Sequence, residues 1–268
     1  MTAEEYIAAK RAAGANLHFH DGVWWQTVRW GYCKPAILFE EVDPRRQAPA
    51  RGRCALGYTH RVPEGAPCSG VWHPLLMRRE AIAKVSLQAV DGKRRNSIRK
   101  GLKCCEVRLI SDPAPVRADM TEIAISTAIR NERGHPPEYY RAHNDDWWRG
   151  ILSGAGYTEW WGAFFEGRMI AYLAVQVAGH RAVIDGAKSW TEYLHACPND
   201  ALVYTFLESC RDRGTVAEIF YGGVSSDKPT LNQFKESFGF KAEKLPYIRR
   251  TFFGLFRYSG QAGEVAGA

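Results

Sequence analysis

Residues 198–239 read PNDALVYTFLESCRDRGTVAEIFYGGVSSDKPTLNQFKESFG, and the order of elements in this stretch decides the fold class. Leu202, Phe206 and Cys210 recur at helical spacing, and Val203 and Leu207 widen the stripe, so 199–213 reads as a helix with one buried face. Asn199 or the residue before it can cap the start, and Gly214 supplies the left-handed position beyond the end. The apolar run 217–221 reads as a strand, Gly222-Gly223 opens a loop that lasts to Lys228, and 231–238 reads as a short helix.

Working back from there, 158–166 and 169–177 read as strands joined by Glu166-Gly167-Arg168, with a further strand at 181–188. Helices are predicted over 119–130 and 139–152. The first part of the chain predicts a helix over 2–13, a hairpin over 17–29 turning at Asp21-Gly22, and a short strand at 36–40. Residues 43–70, rich in Arg, Pro and Gly, predict a long loop with one short strand at most. A helix over 75–89, a strand at 106–110 and a last strand within 247–253 complete the reading. Hairpin-joined strands come early and helices alternate with strands late. That mixture predicts a mixed α/β fold whose twisted, mostly antiparallel sheet is flanked by helices. A hinge at 111–115 divides a basic lobe, 1–112, from a second lobe, 113–259, and the Gly/Ala-rich tail 260–268 is expected to fray.

The chain has 268 residues, enough for one large domain or two modest lobes, and its 12% aromatic content excludes a disordered protein. No apolar run approaches the roughly 18 residues a membrane span needs. Glu4 and Glu5 precede Lys10 and Arg11, the wrong order for a secretory signal, so the expected compartment is the cytoplasm. The seven cysteines are scattered and none forms a C-x-x-C pair. They are therefore expected as free thiols, with neither a zinc site nor a disulfide framework. The net charge of +7 is lopsided: residues 1–110 hold 19 Lys+Arg against 10 Asp+Glu, and the remainder holds 17 against 19. A basic first half suits an anionic partner such as nucleic acid, phosphate or coenzyme A, although a solvated basic face reads the same.

Much of that charge lies in Lys93, Arg94, Arg95, Arg99, Lys100 and Lys103, a segment without an acidic residue that precedes the 106–110 strand. As a helix it places Arg95, Arg99 and Lys103 on one stripe and Ile98, Leu102 and Cys105 on another. Such a cationic stripe can follow a phosphate backbone with salt-sensitive contacts.

Two features together resemble a known family. The order helix, Gly, strand, Gly-Gly loop, then Phe234-Lys235-Glu236-Ser237-Phe238-Gly239, resembles the C-terminal module of the Fem-type aminoacyltransferases, which belong to the broader superfamily with the GNAT (N-acetyltransferase) fold. Arg95-Asn96-Ser97-Ile98-Arg99-Lys100 followed by Lys103 resembles the family's basic segment, and the strands around Glu166-Gly167-Arg168 resemble its central sheet. The likeness runs over about 85–250, is strongest at 214–239, and leaves the first 80 residues as a reduced first lobe.

The resemblance implies an enzyme that moves an aminoacyl group from a charged tRNA to the amine of a small or peptidyl acceptor, as in natural-product biosynthesis or cell-wall precursor modification. It implies no cofactor beyond the aminoacyl-tRNA co-substrate. It assigns Lys235 to the developing oxyanion, with Phe234 as its packing neighbour and, together with Gly222 and Gly223 of the adjoining loop, as a candidate substrate-binding residue, and the basic segment to tRNA. Phe234 and Phe238, at i,i+4 spacing, also fit an ordinary core pair. Asp185, at the end of a strand, is a candidate for orienting the amine by position alone.

An acyl-CoA-dependent N-acyltransferase on the same fold is the alternative, but its R/Q-x-x-G-x-G/A loop before a helix is missing here, since Gly134, Gly154 and Gly156 lack the spacing. A non-catalytic RNA-binding module is a third reading. His18 and His20 share a strand face but have no third ligand evident in sequence, so they read as ordinary strand histidines. Asp145-Asp146 before Trp147-Trp148 reads as a helix start, and Trp24, Trp25 and Trp30 as core or as base-stacking rings.

Overall fold

A computed structural model describes residues 1–28, 31–132 and 135–252. Trp30, Gly134 and the tail 260–268 lie outside the described residues. Helix α1 (Ala3–Ala12) starts at a capping box in which Thr2 and Glu5 bond each other's backbone N–H. Strands β1 (Leu17–His20) and β2 (Val23–Val28) form the predicted hairpin, with Asp21 and Gly22 both at positive φ as a two-residue turn requires. Next come β3 (Tyr32–Pro35), β4 (Gly57–Arg61), β5 (Gly70–Trp72), β6 (Pro74–Arg78) and the short α2 (Arg79–Ile82). The basic segment is α3 (Gly92–Cys104), followed by β7 (Glu106–Ile110), α4 (Arg117–Asn131), α5 (Pro137–Ala142) and α6 (Asn144–Gly154). The rest is β8 (Thr158–Phe165), β9 (Arg168–Ala178), β10 (Arg181–Ser189), α7 (Pro198–Arg213), β11 (Glu218–Gly223), α8 (Pro229–Glu236), β12 (Lys241–Ala242) and β13 (Leu245–Thr251).

The strands make two sheets, in the orders β1-β2-β3-β4-β13-β5 and β12-β6-β11-β10-β9-β8-β7. Among the described strands only β3–β4 and β10–β11 pair in parallel. A twisted, mostly antiparallel architecture flanked by helices is therefore what the chain adopts. Sheet membership does not follow the predicted hinge, however. β6 and β7 precede residue 113 yet belong to the second sheet, and β13 returns from the end of the chain to the middle of the first. The chain changes sheets between Trp72 and Pro74, not at 111–115.

Three further expectations need correction. Residues 75–89 begin as strand β6, not as a helix. Leu75 and Met77 face the core beneath α7, and Leu76 faces the opposite core with Phe220. A strand buried on both faces is a plain apolar run, so its sequence shows no alternation. Residues 36–40 form a turn, because Phe39 takes φ 57° and stacks on Phe220 with ring centroids 4.2 Å apart. Cys33 and Cys54, expected as free thiols, are joined in a disulfide inside the small core of the first sheet. They lie 21 residues apart on different elements, so only folding brings them together.

The main core lies between the second sheet and α3 and α7 (Ile98, Leu173, Val175, Leu202, Phe206). The other face of β8–β10 is covered by α4 and α6 through Met120, Ile123 and Trp148. The first sheet is clasped to the second at Glu218 of β11, which binds Arg61 of β4 (3.2 Å), Arg181 of β10 (3.0 Å) and Arg78 of β6.

Candidate active site at the parting of two parallel strands

β10 and β11 pair at only three positions, Arg181↔Glu218, Ala182↔Ile219 and Val183↔Phe220, and then separate. Two local irregularities accompany the separation. β10 shifts register against β9 between Ile184 and Gly186, leaving Asp185 as a bulge residue. β11 shifts against β6 between Phe220 and Gly223, and Gly222 has φ 67°. Asp185 and Gly222 each stand two residues beyond the last pair, so they flank the opening.

Lys235 enters from α8. Its side chain is buried, and Nζ lies 4.8 Å from the centroid of the Tyr221 ring and 3.4 Å from where a Cβ on Gly222 would sit. Burial lowers its pKa to about 8. Among the described residues no carboxylate forms an ion pair with it. The chain between β11 and α8 is tied by Asn232, whose amide accepts from Ser225 N–H (3.0 Å) and donates to Ser225 O (2.7 Å).

On the β10 side, Gln176 of β9 donates to Asp185, and Tyr6 of α1 donates to Gln176. Asp185 is accessible to water, yet burial is the first cause of its raised pKa, with Gln176, Lys34 and Lys10 opposing it. Lys10 has its pKa lowered to about 8 by burial and by Lys34, and donates to Gln26 Oε1 and Ala36 O, both at 2.9 Å. Burial also lowers Lys34. Further along the same face, Lys188 lies 5.9 Å from the ring centroids of both Tyr140 and Tyr172 and is likewise lowered by burial.

Sequence reading missed Lys10, Lys34, Lys188 and Gln176. The one signal available was Lys188, a further charged side chain in the strand that carries Asp185.

Phe234 lies elsewhere than the opening. Its ring packs edge-on against Phe238 (5.2 Å), with the Arg94 guanidinium 4.6 Å above it. Arg94 also bonds Asp200 of α7 and Ser237 Oγ (2.7 Å), so it clasps α3, α7 and α8 together. Arg95 donates to the carbonyls of Gln88 (3.3 Å) and Val90 (3.1 Å). The cations of α3 that remain exposed are Lys93, Arg99, Lys100 and Lys103. The buried residues of α3 are Ile98 and Gly101, with Cys105 buried just beyond its end, while Leu102 is exposed. The helix is thus rotated from the predicted apolar line because Gly101 lets it approach α7.

The start of α7 is set by Cys197 in a left-handed conformation before Pro198, and not by an Asn199 cap. Asp200 in its first turn is neutralised by Arg94, and Gly101 presses against the backbone there. Asp145 and Asp146 pair with Arg117 and Arg149, Trp25 is fully buried, and Trp24 carries the Arg11 guanidinium. A cavity of about 390 Å³ opens at the other end of β10 and β11, between Arg61, Arg78, Arg181 and Glu218. Arg61, Arg78 and Arg181 there are engaged by carboxylates, while Arg79 donates to Gly214 O (3.2 Å).

No protein-family model and no curated protein sequence matches the chain. Solved structures do. FemX superposes with a TM-score of 0.60 at 13% identity, over 91% of this chain and 90% of its own. The C-terminal domain of a proposed lysylphosphatidylglycerol synthetase from Agrobacterium fabrum gives 0.57 at 13% identity, over 94% and 91%. L-PGS from Bacillus licheniformis gives 0.54 at 10% identity, over 92% and 90%. The chain therefore shares its overall fold with FemX and with these two further structures. The Fem-type resemblance read from residues 85–250 holds at the level of fold, and the likeness extends through the first 80 residues as well.

Proposed function

We propose that this protein is an aminoacyltransferase that moves an aminoacyl group from a charged tRNA to the amine of a small or peptidyl acceptor, forming an amide. The observation that carries the proposal is Lys235, buried without a counter-ion among the described residues beside the parted strands, in a chain with the fold of FemX.

The chemistry asks little else of the protein. The ester donor is already activated, so the acceptor nitrogen attacks the ester carbonyl directly. The electron pair of the C=O bond moves onto oxygen, where the Lys235 ammonium stabilises it. The oxyanion then collapses, the bond to the ribose oxygen breaks, and the proton lost by the amine ends on that oxygen. Asp185 is suited to hold the amine for attack, and Gly222 leaves space beside Lys235 Nζ. The exposed Lys93, Arg99, Lys100 and Lys103 form the surface for the tRNA backbone.

The acyl-CoA alternative has less support. A pyrophosphate needs free backbone N–H groups at a helix N-terminus. At α7 that place carries Asp200, is sealed by Arg94 and Gly101, and follows a turn without glycine. A module that only binds RNA would have no use for a buried, unpaired lysine.

The experiment incubates the protein with mixed charged tRNAs and candidate amines, with and without RNase, and reads amide products by mass spectrometry. RNase-sensitive amide formation is expected. Transfer that survives RNase and depends on acyl-CoA overturns the proposal.

A further inference from the structure

The first sheet gathers three residues that lie far apart in sequence. His18 of β1, Cys33 of β3 and Cys54 have their ligand atoms within 4.8 Å of one another. Both cysteines are fully buried. Both ring nitrogens of His18 are also shut off from water and have no hydrogen-bond partner, the costliest state for an imidazole. Two sulfurs and a buried orphaned imidazole constitute a soft donor set, the kind that selects zinc over calcium or magnesium.

We propose that the reduced form of this cluster is a Cys2His zinc site, and that the disulfide and the metal are alternative staples of the same small core. The interconversion balances simply. A dithiol reductant gives two electrons and two protons to the Cys33–Cys54 bond and leaves as its own cyclic disulfide. Zinc then displaces both thiol protons, forming two zinc–thiolate bonds, and one imidazole nitrogen of His18 donates the third pair. Three protein ligands leave the fourth tetrahedral position to water. With Cα atoms 5.5 Å apart, side-chain rotation carries the sulfurs to the separation of about 3.8 Å that two zinc–sulfur bonds impose at a tetrahedral angle. The hydroxyl of Thr27, 3.6 Å from the Cys33 sulfur, is placed to donate to the thiolate. The first sheet's core is small (Val23, Trp25, Val42, Tyr58, Val62 and Ile248 beside the two cysteines), which gives it reason to need a staple in either redox state.

The test uses the whole protein, reduced with dithiothreitol, desalted without oxygen and titrated with Co2+ as a spectroscopic stand-in for zinc. Expected are one cobalt per chain, thiolate-to-cobalt charge-transfer absorption with the visible bands of a tetrahedral ion, and displacement by Zn2+. The oxidised protein should bind none. His18→Gln should weaken binding at least tenfold and shift the visible bands, and Cys33→Ser should remove about half the charge-transfer intensity. If these variants fail to fold, alkylation of the wild type decides. Zinc should protect Cys33 and Cys54 and leave exposed Cys68 reactive. A reduced protein with no charge-transfer band, or zinc protection that spares neither Cys33 nor Cys54, overturns the site.

Discussion

Lys235 differs from an ordinary surface lysine in its burial and, among the described residues, in having no carboxylate beside it, and both have measurable consequences. Removing a preorganised donor to an oxyanion typically costs two to three orders of magnitude in turnover. Lys235→Ala should therefore lower kcat by roughly 10²- to 10³-fold while leaving tRNA affinity nearly unchanged, and wild-type rates in that variant would remove Lys235 from the mechanism. Its pH dependence is specific too. In the proposed role the side chain works only as a cation, and burial brings its pKa to about 8, so turnover should fall as pH rises through 8. The residual activity of Lys235→Ala should lack that alkaline limb; a limb that persists belongs to another group. The same shift acts on folding. The unfolded chain binds more protons than the native one between about 8 and the ordinary lysine value of 10.5, so this residue makes stability increase with pH across that window. The identity of Lys235 was legible in sequence through its neighbours Phe234 and Phe238. Its burial was not, because burial comes from packing of α8 beside Tyr221 and Gly222, on another element.

At the scale of elements, α3 packs with one face and presents exposed cations on the other. Gly101 allows it to touch the start of α7, where an added Cβ would stand 2.5 Å from Cys197 O and 3.0 Å from Ala201 Cβ. Backbone cannot yield as a side-chain tip can, so Gly101→Ala should destabilise the protein by about 1–3 kcal/mol, read as a lowered urea midpoint. An unchanged midpoint would mean that the helices slide apart at little cost. The opposite face carries Lys93, Arg99, Lys100 and Lys103. Reversing charge at Arg99 and Lys103 should weaken tRNA binding and flatten its salt dependence by about one unit of slope per lost phosphate contact, checked by binding titrations at several salt concentrations. An unaltered slope would take α3 out of the tRNA surface. The helix itself, its length and its charge were legible from 93–103. The division of labour within it was not: Arg94 and Arg95 look like their neighbours in sequence, and only contacts with Asp200, Phe234 and the carbonyls of Gln88 and Val90 withdraw them from solvent.

The whole molecule depends on how its two sheets are joined. Glu218 gathers Arg61, Arg78 and Arg181 at that junction. Burial pushes its pKa up, but Arg61 and Arg181 outweigh the effect and hold it below the usual carboxylate range. A depressed carboxylate contributes stability above its unfolded pKa and loses it as pH falls through the folded value. The junction should therefore loosen in acid, below about pH 4. Glu218→Ala leaves buried guanidinium charge without its partner and should cost about 3–5 kcal/mol, measured by denaturant unfolding. A loss under about 1 kcal/mol would show that Glu41 and Glu243, which also bind Arg61 and Arg78, suffice on their own.

Local chemistry was sufficient for much of this. Helical periodicity over 199–213, the Asp21-Gly22 turn, the strands around Glu166-Gly167-Arg168 and the mostly antiparallel fold class all follow from interactions a few residues long, which sequence displays directly. Contacts between distant segments decided the rest. β13 completes the first sheet, β6 enters the second as a strand buried on both faces, Cys33 meets Cys54 beside His18, and β10 and β11 part where Lys235 enters. Each brings together groups tens to hundreds of residues apart. Which of them meet depends on how whole sheets and helices pack, and no short stretch of sequence holds that information.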